Sequence, residues 1–233
     1  MTIFVFFFVN VTSQYAIIVA GGIGTRMKSD RPKQFLEING ETIIIKTIRA
    51  FLNYNPEISI IICIHSNYKS MLENLLDKFE LKNFNIKITF GGDTRFDSVK
   101  NGLKLIDDEN AIVAIHDAAR PGVSKQTIMN CFETAASKGN AIPCVSVSES
   151  MRKINNNENN SVNRNNYKII QTPQCFLVSK IKKAFEQNYL PAYTDDATVL
   201  ESIGEKINLV EGNEENFKIT SAIDLVMASA VIK

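Results

Sequence analysis

Residues 15–22 of the chain read Tyr15-Ala16-Ile17-Ile18-Val19-Ala20-Gly21-Gly22. A short, nearly continuous apolar run that ends in a glycine pair predicts a strand buried on both faces. The next apolar residues, at 44–52, follow helical spacing and are separated from the strand by a loop. A buried strand that leads through a loop into a helix is the first half of a βαβ unit, so we place this strand in a parallel sheet.

The same alternation continues along the chain and defines the fold class. Further strand-type apolar runs lie at 58–64, 86–90 and 111–115, and segments of helical period lie between them at 72–79 and 96–106. We therefore predict an α/β fold, a Rossmann-like, mostly parallel twisted sheet with helices on both faces. Because ligands in such sheets bind beyond the carboxyl ends of the strands, the residues after each strand are the candidates for a site.

Composition narrows the class of protein. The 233 residues are 45% apolar and 22% charged, which is typical of a globular protein and excludes a disordered or fibrous chain. Lys and Arg number 26 against 25 Asp and Glu, so the net charge of +1 provides no general basic field for nucleic acid. No apolar run approaches the ~20 residues of a membrane span. An anionic substrate must therefore be held by locally placed charge.

The cysteines and the first residues bear on location. Cys63, Cys131, Cys144 and Cys175 include no Cys-x-x-Cys pair, and the chain has only two histidines, so neither a zinc site nor a disulfide scaffold is indicated. Reduced thiols are typical of a cytoplasmic protein. The apolar stretch at 3–9 lacks a basic segment before it, and we interpret it as a short extension or an early start rather than a signal peptide.

One segment departs from the alternation of strands and helices. Eight of the twelve residues at 155–166 are asparagine, which fits a solvated loop. Residues 146–152 before it and 167–170 after it look like paired strands, so we favour a projecting hairpin arm over 146–170. Since no linker or internal repeat is present, we predict a single domain over 1–233 that carries this arm.

A glycine-rich segment with two cations follows the first strand. The glycines of Gly21–Gly24 let the backbone approach a phosphate, although such glycines also fit a tight connection to a helix. The segment is not a Walker loop, because Gly-Lys occurs nowhere in the chain, nor a dinucleotide loop, because Met27 replaces the third glycine. Arg26 and Lys33 favour phosphoryl chemistry, because two cations can neutralise charge that develops on a phosphoryl group.

Two other strands also end in polar sequence. The third is followed by Gly91-Gly92-Asp93-Thr94-Arg95, and the fourth by His116-Asp117-Ala118-Ala119-Arg120-Pro121. Asp117 is the best-placed carboxylate for a divalent cation, since Mg²⁺ favours one or two carboxylates together with phosphate oxygens. We interpret His116 as a structural histidine rather than a base. Three strand ends of this kind indicate a site for a phosphorylated ligand.

Taken together, these segments resemble the family of 2-C-methyl-D-erythritol 4-phosphate cytidylyltransferases, which are nucleotidyltransferases. The likeness covers about residues 16–232 in order. The segments that carry it are Ala20–Met27 with Pro32-Lys33-Gln34, Gly91–Val99, His116–Pro121, Gln171–Gln174, Thr194–Ala197, and Val210-Glu211-Gly212 through Asn216–Thr220.

The resemblance implies a role for each matching position. The residues implied to bind CTP are Ala20, Gly21, Gly22, Ile23, Gly24, Gly92, Asp93, Arg95, Ser98, Asp117 and Ala118. The implied catalytic cations are Arg26, Lys33, Arg164 and Lys218. Those implied to bind methylerythritol phosphate are Arg120, Ser150, Arg164, Thr172 and Thr194. From the position of its carboxylate we predict Mg²⁺ or another divalent cation at Asp117. The resemblance also implies a homodimer whose arm brings Arg164 to the partner's substrate.

Two alternatives remain at this point. A ribitol-5-phosphate cytidylyltransferase shares several motifs, but Ala119 stands where that family usually has valine, and Asp97-Ser98-Val99 favours methylerythritol phosphate. A regulatory nucleotide-binding module without chemistry is the second alternative, and Arg26 and Lys33 argue against it. The expected reaction is attack of the acceptor phosphate on the α-phosphorus of CTP, which needs no general base.

Overall fold

The computed structural model describes residues 13–22, 32–156 and 158–232. Its strands are β1 (Gln14–Ala20), β2 (Glu37–Ile38), β3 (Glu41–Thr42), β4 (Ser59–Ile64), β5 (Ile86–Phe90), β6 (Ile112–Asp117), β7 (Asn140–Ser146), β8 (Met151–Asn155), β9 (Glu158–Val162), β10 (Lys168–Ile170), β11 (Gln174–Leu177) and β12 (Leu209–Glu211). Its α-helices are α1 (Ile43–Tyr54), α2 (Lys69–Lys78), α3 (Arg95–Leu103), α4 (Lys125–Lys138), α5 (Val178–Ala184), α6 (Asp196–Glu201) and α7 (Ala222–Val231).

Eight strands form one mostly parallel sheet, as the sequence predicts. The order is β10-β7-β11-β6-β1-β4-β5, and β12 also pairs with β7. β1 is parallel to both β4 and β6, and β4 is parallel to β5. Only β10 and β11 among these strands run antiparallel to their neighbours. The carboxyl ends of β1, β5 and β6 therefore lie along one edge of the sheet.

Helices cover both faces of the sheet. Alternate side chains of β1 point to opposite faces, so neighbouring residues of this strand belong to different cores. Ala16 and Ile18 belong to a core with residues of α1, α2 and α4, whereas Ile17 belongs to a second core with residues of α3, α5 and α6. A smaller third cluster holds α7 against β2 through Ala228 and Ile38. Among the described residues, no helix has the length and apolar content needed to cross a bilayer.

The fourth predicted strand is longer at its carboxyl end than its apolar run indicates. The pairing with β1 continues to Val19 opposite Asp117, so His116 and Asp117 are the last two residues of β6 rather than the first of a loop. The difference matters for function, because a side chain at a strand end is held more rigidly than one on a loop. Asp117 is fixed by the sheet itself.

The arm differs in its pairing from the sequence prediction. Ser146 pairs with Lys168 in the main sheet, but the hairpin proper is formed by β8 and β9 as a separate two-stranded sheet. The asparagine-rich stretch therefore includes the second strand of the hairpin, β9, and continues into a 3-10 helix over Arg164–Asn166. Asparagine has a low strand propensity, which is why composition alone suggests a loop here.

Candidate functional site

A cleft of about 380 Å³ opens at the carboxyl ends of β1, β5 and β6, a size within the range of small-molecule sites. It is the position that the sheet topology predicts for a ligand. Many of the predicted site residues line it. These are Ala20, Gly21, Gly22, Lys33, Gly92, Asp93, Arg95, Ser98, Asp117, Ala118 and Lys218.

Asp117 is the centre of charge in the cleft. Its Oδ1 accepts a hydrogen bond from Arg95 Nε at 3.2 Å, and its Oδ2 lies 3.4 Å from Arg120 Nε and 2.9 Å from Lys218 Nζ. Burial alone would raise the pKa of Asp117, but the three cations outweigh burial and hold it well below its ordinary value. The ionised carboxylate thus brings together three cations at one point: the nearby Arg120, Arg95 and the distant Lys218.

Arg95 is held by a second carboxylate. Asp196, the first residue of α6, is almost fully buried and accepts from Arg95 Nη1 at 2.9 Å and from Nη2 at 2.7 Å. Burial acts to lower the pKa of Arg95, but the charges of Asp196 and Asp117 raise it, so the guanidinium stays charged. The fork of Arg95 therefore has a fixed direction in the wall of the cleft.

His116 is part of a buried hydrogen-bonded chain and not a base. Burial lowers its pKa to about 4, so the imidazole is neutral at physiological pH. Its Nε2 lies 3.0 Å from the carbonyl oxygen of Arg120, and its Nδ1 lies 3.0 Å from Thr172 Oγ1. Thr172 Oγ1 also accepts from the backbone N–H of Asp117 at 3.1 Å. The network fits an Nε2–H tautomer, and the structural interpretation of His116 agrees with it.

Asn216 fixes the segment that carries Lys218. Asn216 is fully buried, and its side-chain Nδ2 donates to the backbone carbonyl oxygen of Thr172 at 2.7 Å. Its backbone carbonyl oxygen accepts from Arg120 Nη1 at 2.9 Å. The neighbouring backbone N–H of Ile219 donates to the carbonyl of Ala119 at 2.9 Å. Lys218 therefore enters the cleft from a segment that is bonded to the end of β6.

The loop after β5 requires glycine at one position. A Cβ on Gly92 would lie 2.3 Å from the Cβ of Asp97, which no real side chain tolerates. The backbone N–H of Gly92 donates to Ser98 Oγ at 3.0 Å, and that hydroxyl in turn donates to the backbone carbonyl of Thr94. Ser98 thus shapes the loop from inside, while Asp93 is exposed on the cleft.

Lys33 and Gln34 enter the cleft from a short 3-10 helix over Lys33–Phe35. Lys33 Nζ donates to the carbonyl oxygen of Ile219 at 2.9 Å, which places it beside the segment of Lys218. Gln34 is buried, and its Nε2 donates to the carbonyls of Ala20 and Gly22. This pair of residues therefore connects the glycine loop to the cation side of the cleft.

Several predicted residues are not among the described residues that line this cleft. Ile23, Gly24 and Arg26 lie outside the described residues. Thr194 lies in a separate shallow cavity beside β7 and α6, and Ser150 and Arg164 are exposed on the arm. Thr172 and Arg120 instead lie in the network behind Asp117. Arg164 Nη1 donates to the carbonyl of Ser148 across the base of the arm.

The donor set of the cleft limits how a metal ion can bind. Within residues 13–22, 32–156 and 158–232 no three His, Cys, Asp or Glu side chains are grouped to hold one. Asp117 offers four lone-pair sites, of which its cations use three. A single carboxylate fits Mg²⁺ when substrate oxygens and water supply the other ligands. The residues thus fit a cation that arrives with a phosphorylated ligand.

Three residues of this site were not assigned a role by the sequence analysis. They are Gln34, Asp196 and Asn216, which lie within recognised segments next to assigned residues. Their burial at 3%, 1% and 0% exposure was the missing signal, because a buried polar side chain must have partners. Only the tertiary structure identifies those partners.

The family model and the relatives described here point to the same protein family. The family model described as 2-C-methyl-D-erythritol 4-phosphate cytidylyltransferase matches residues 14–233. The chain is 42% identical to the protein of that name from Bacteroides fragilis, over 93% of this chain and 98% of that protein. It is 38% identical to the one from Clostridioides difficile, over 93% and 92%.

Solved structures agree with this likeness. The 4-diphosphocytidyl-2C-methyl-D-erythritol synthase of Anaerococcus prevotii superposes with a TM-score of 0.81 at 27% identity, covering 94% of this chain and 95% of that one. The 2-C-methyl-D-erythritol 4-phosphate cytidylyltransferase of Francisella tularensis superposes with a TM-score of 0.77 at 32% identity, covering 94% and 99%.

Proposed function

The chain belongs to the family of 2-C-methyl-D-erythritol 4-phosphate cytidylyltransferases, and from this premise we propose how its cleft performs the reaction. The enzyme joins CTP and 2-C-methyl-D-erythritol 4-phosphate into 4-diphosphocytidyl-2-C-methyl-D-erythritol and pyrophosphate, in isoprenoid biosynthesis. Ribitol 5-phosphate is not favoured as the acceptor, because the family model and both relatives described above have the methylerythritol name. The observation that supports our mechanism is that Lys33 and Lys218 reach one cleft, beside the carboxylate of Asp117.

In the proposed step, an oxygen of the acceptor phosphate attacks the α-phosphorus of CTP in line. The new P–O bond forms while the bond to the bridging oxygen breaks, and its electron pair leaves with pyrophosphate. The attacking group is already an anion, so no base has to remove a proton. A neutral, buried His116 with both ring nitrogens in hydrogen bonds is consistent with such a mechanism.

Catalysis then depends on positioned charge. We assign Lys33 and Arg26 to the α-phosphate and the leaving pyrophosphate, and Lys218 to the acceptor phosphate. Lys33 and Lys218 support this assignment because they reach one cleft from opposite ends of the chain. Cations that are fixed before the reaction stabilise the transition state without the cost of reorganisation. Arg95 and Arg120 keep the carboxylate of Asp117 in place among them.

The glycine-rich loops provide the nucleotide site in this proposal. Gly21 and Gly22 bind the triphosphate through their backbone, and the loop of Gly92 and Asp93 receives the base. Asp117 would supply one protein ligand to a divalent cation that the triphosphate holds. When bound, the cation neutralises phosphate charge.

A cytoplasmic location stays a prediction, which the four free, buried cysteines support.

We also propose that two chains associate through the arm. An isolated two-stranded hairpin is marginally stable in water, and β8 and β9 form one. Large apolar side chains are exposed on and beside it, with Ile154 68% and Ile169 51% accessible. Burying them against a second copy accounts for both observations, and it brings Arg164 towards the partner's acceptor site.

The reaction itself is tested by product identification. Purified protein is given CTP and Mg²⁺ with either methylerythritol 4-phosphate or ribitol 5-phosphate, and the products are identified by mass spectrometry. We expect a cytidine diphosphate ester of methylerythritol together with one pyrophosphate per turnover. Faster formation of the ribitol ester would contradict the assigned acceptor.

Replacing Asp93 with alanine should weaken selection of the base. A carboxylate accepts a hydrogen bond from the 4-amino group of cytosine but not from the 4-carbonyl of uracil. We expect the ratio of kcat/KM for CTP to that for UTP to fall about tenfold or more. Asp107→Ala, which changes an exposed aspartate outside the cleft, is the control. An unchanged ratio would exclude Asp93 from reading the base.

Replacing Asp117 with asparagine should raise the Mg²⁺ requirement. Chelation by EDTA should abolish turnover of the wild type, and the Mg²⁺ concentration for half-maximal rate should rise at least about tenfold in Asp117→Asn. A titration of rate against free Mg²⁺ measures this, with Asp107→Asn as the control. A lower rate at an unchanged Mg²⁺ requirement would mean that Asp117 only orients its three cations.

A further inference from the structure

Gln34 occupies an unusual position for a side chain at a ligand cleft. It is only 3% exposed, yet it lies among the residues that line the cleft, directly after Lys33. Its Nε2 donates to the carbonyl oxygen of Ala20 at 2.8 Å and to that of Gly22 at 3.1 Å. One amide group thus holds both carbonyls on either side of Gly21.

The direction of these carbonyls affects the binding of an anion. In a trans peptide the N–H points opposite to the C=O, so a fixed carbonyl also fixes the direction of the following N–H. Because Gln34 holds the Ala20 carbonyl, the N–H of Gly21 is directed away from Gln34. The carbonyl oxygens of Ala20 and Gly22 would repel a phosphate, and both instead accept hydrogen bonds from Gln34 Nε2.

Gln34 itself is firmly positioned. The next residue, Phe35, is buried in the core that α1 and α4 share with the sheet, so the backbone at Gln34 has little freedom. On the other side of the loop, a Cβ on Gly21 would approach Ser98 Oγ to 3.2 Å. Gly21 is therefore confined between Gln34 and the start of α3.

We propose that Gln34 is a positioning residue, which fixes Gly21 and Gly22 in the conformation that receives the triphosphate of CTP. This inference rests on the proposed placement of that triphosphate against Gly21 and Gly22. Gln34 need not touch the nucleotide. It acts through the two carbonyls, and it keeps the loop aligned with Lys33.

The test compares a nucleotide that has the triphosphate with one that lacks most of it. Dissociation constants for CTP and CMP are measured by calorimetry on wild type, Gln34→Met and Gln34→Glu. Methionine has a similar length but no donor, and glutamate places oxygen against both carbonyls. We expect the preference for CTP over CMP to fall about tenfold in Gln34→Met, and further in Gln34→Glu. Gln126→Met, an exposed glutamine on α4, should match the wild type.

Each other outcome has a defined meaning. Equal losses of CTP and CMP affinity, unchanged affinities, or a Gln34→Met protein that does not fold by circular dichroism would each overturn the positioning role. A wild type that does not prefer CTP over CMP would instead contradict the placement of the triphosphate. The failure of this inference is thus separate from the failure of the proposed site.

Discussion

Replacing Lys33 with alanine is expected to lower kcat by about 10²- to 10³-fold with little change in the dissociation constant of CTP. Its ammonium group is held at the cleft by the carbonyl of Ile219, 2.9 Å away, in a position to meet charge that develops on the reacting phosphate. An interaction that strengthens in the transition state affects kcat rather than ground-state binding. Pyrophosphate release gives kcat, and calorimetry gives the affinity for CTP.

The fold should survive this change, because a lysine at the edge of a polar cleft contributes little to core packing. Far-ultraviolet circular dichroism and the melting temperature check that expectation. Lys125→Ala removes an exposed lysine at the start of α4 and serves as the matched control. A raised KM with an unchanged kcat would make Lys33 a binding residue only.

Most of the sheet could be predicted because its strands are buried on both faces. Such strands read as apolar runs, and the helices between them keep a regular period, so β1, β4, β5 and the helices α1–α3 match the prediction closely. The end of β6 was less predictable. His116 and Asp117 are polar, and only their pairing with β1 shows that the strand continues through them.

The candidate site was predictable where its residues lie at or just after the carboxyl ends of strands. Asp117, Gly92 and Asp93 were located by that rule alone, whereas Lys218 and Arg120 were assigned roles by the family resemblance. The positioning residues could not be found in this way. Asp196 meets Arg95 across 101 positions of sequence, and Asn216 meets Thr172 across 44. No local pattern records contacts over such separations.

The arm shows a different limit of sequence reasoning. Its strands are stabilised by cross-strand contacts such as Arg152 with Asn159, not by an apolar face of their own. Arg164 points back to Ser148 within its own chain and is exposed, as is Ser150. Because the arm has no apolar face and is rich in asparagine, its composition suggests a loop. The function of the hairpin depends on whether it packs against a second chain.

Two inactive variants should restore activity to each other if the arm acts across a dimer. Arg26→Ala and Arg164→Ala homodimers are each expected to lose about 10²- to 10³-fold in kcat, since each removes a cation from every site. In a heterodimer, one composite site combines the intact Arg26 of one chain with the intact Arg164 of the other. The second site lacks both arginines, so one of the two sites in each heterodimer should be active.

The variants carry different affinity tags, so that heterodimers formed by subunit exchange can be purified through both tags in turn. Their rate per site is then compared with that of the wild type and with each homodimer, and a heterodimer of Lys125→Ala with wild type controls for the exchange procedure. Recovery to about half of the wild-type rate is the expected result, because one of two sites is complete. If verified heterodimers stay as inactive as the parent variants, Arg164 acts on its own subunit or on no site. If the protein is monomeric by light scattering at assay concentrations, the proposed association of two chains through the arm is wrong.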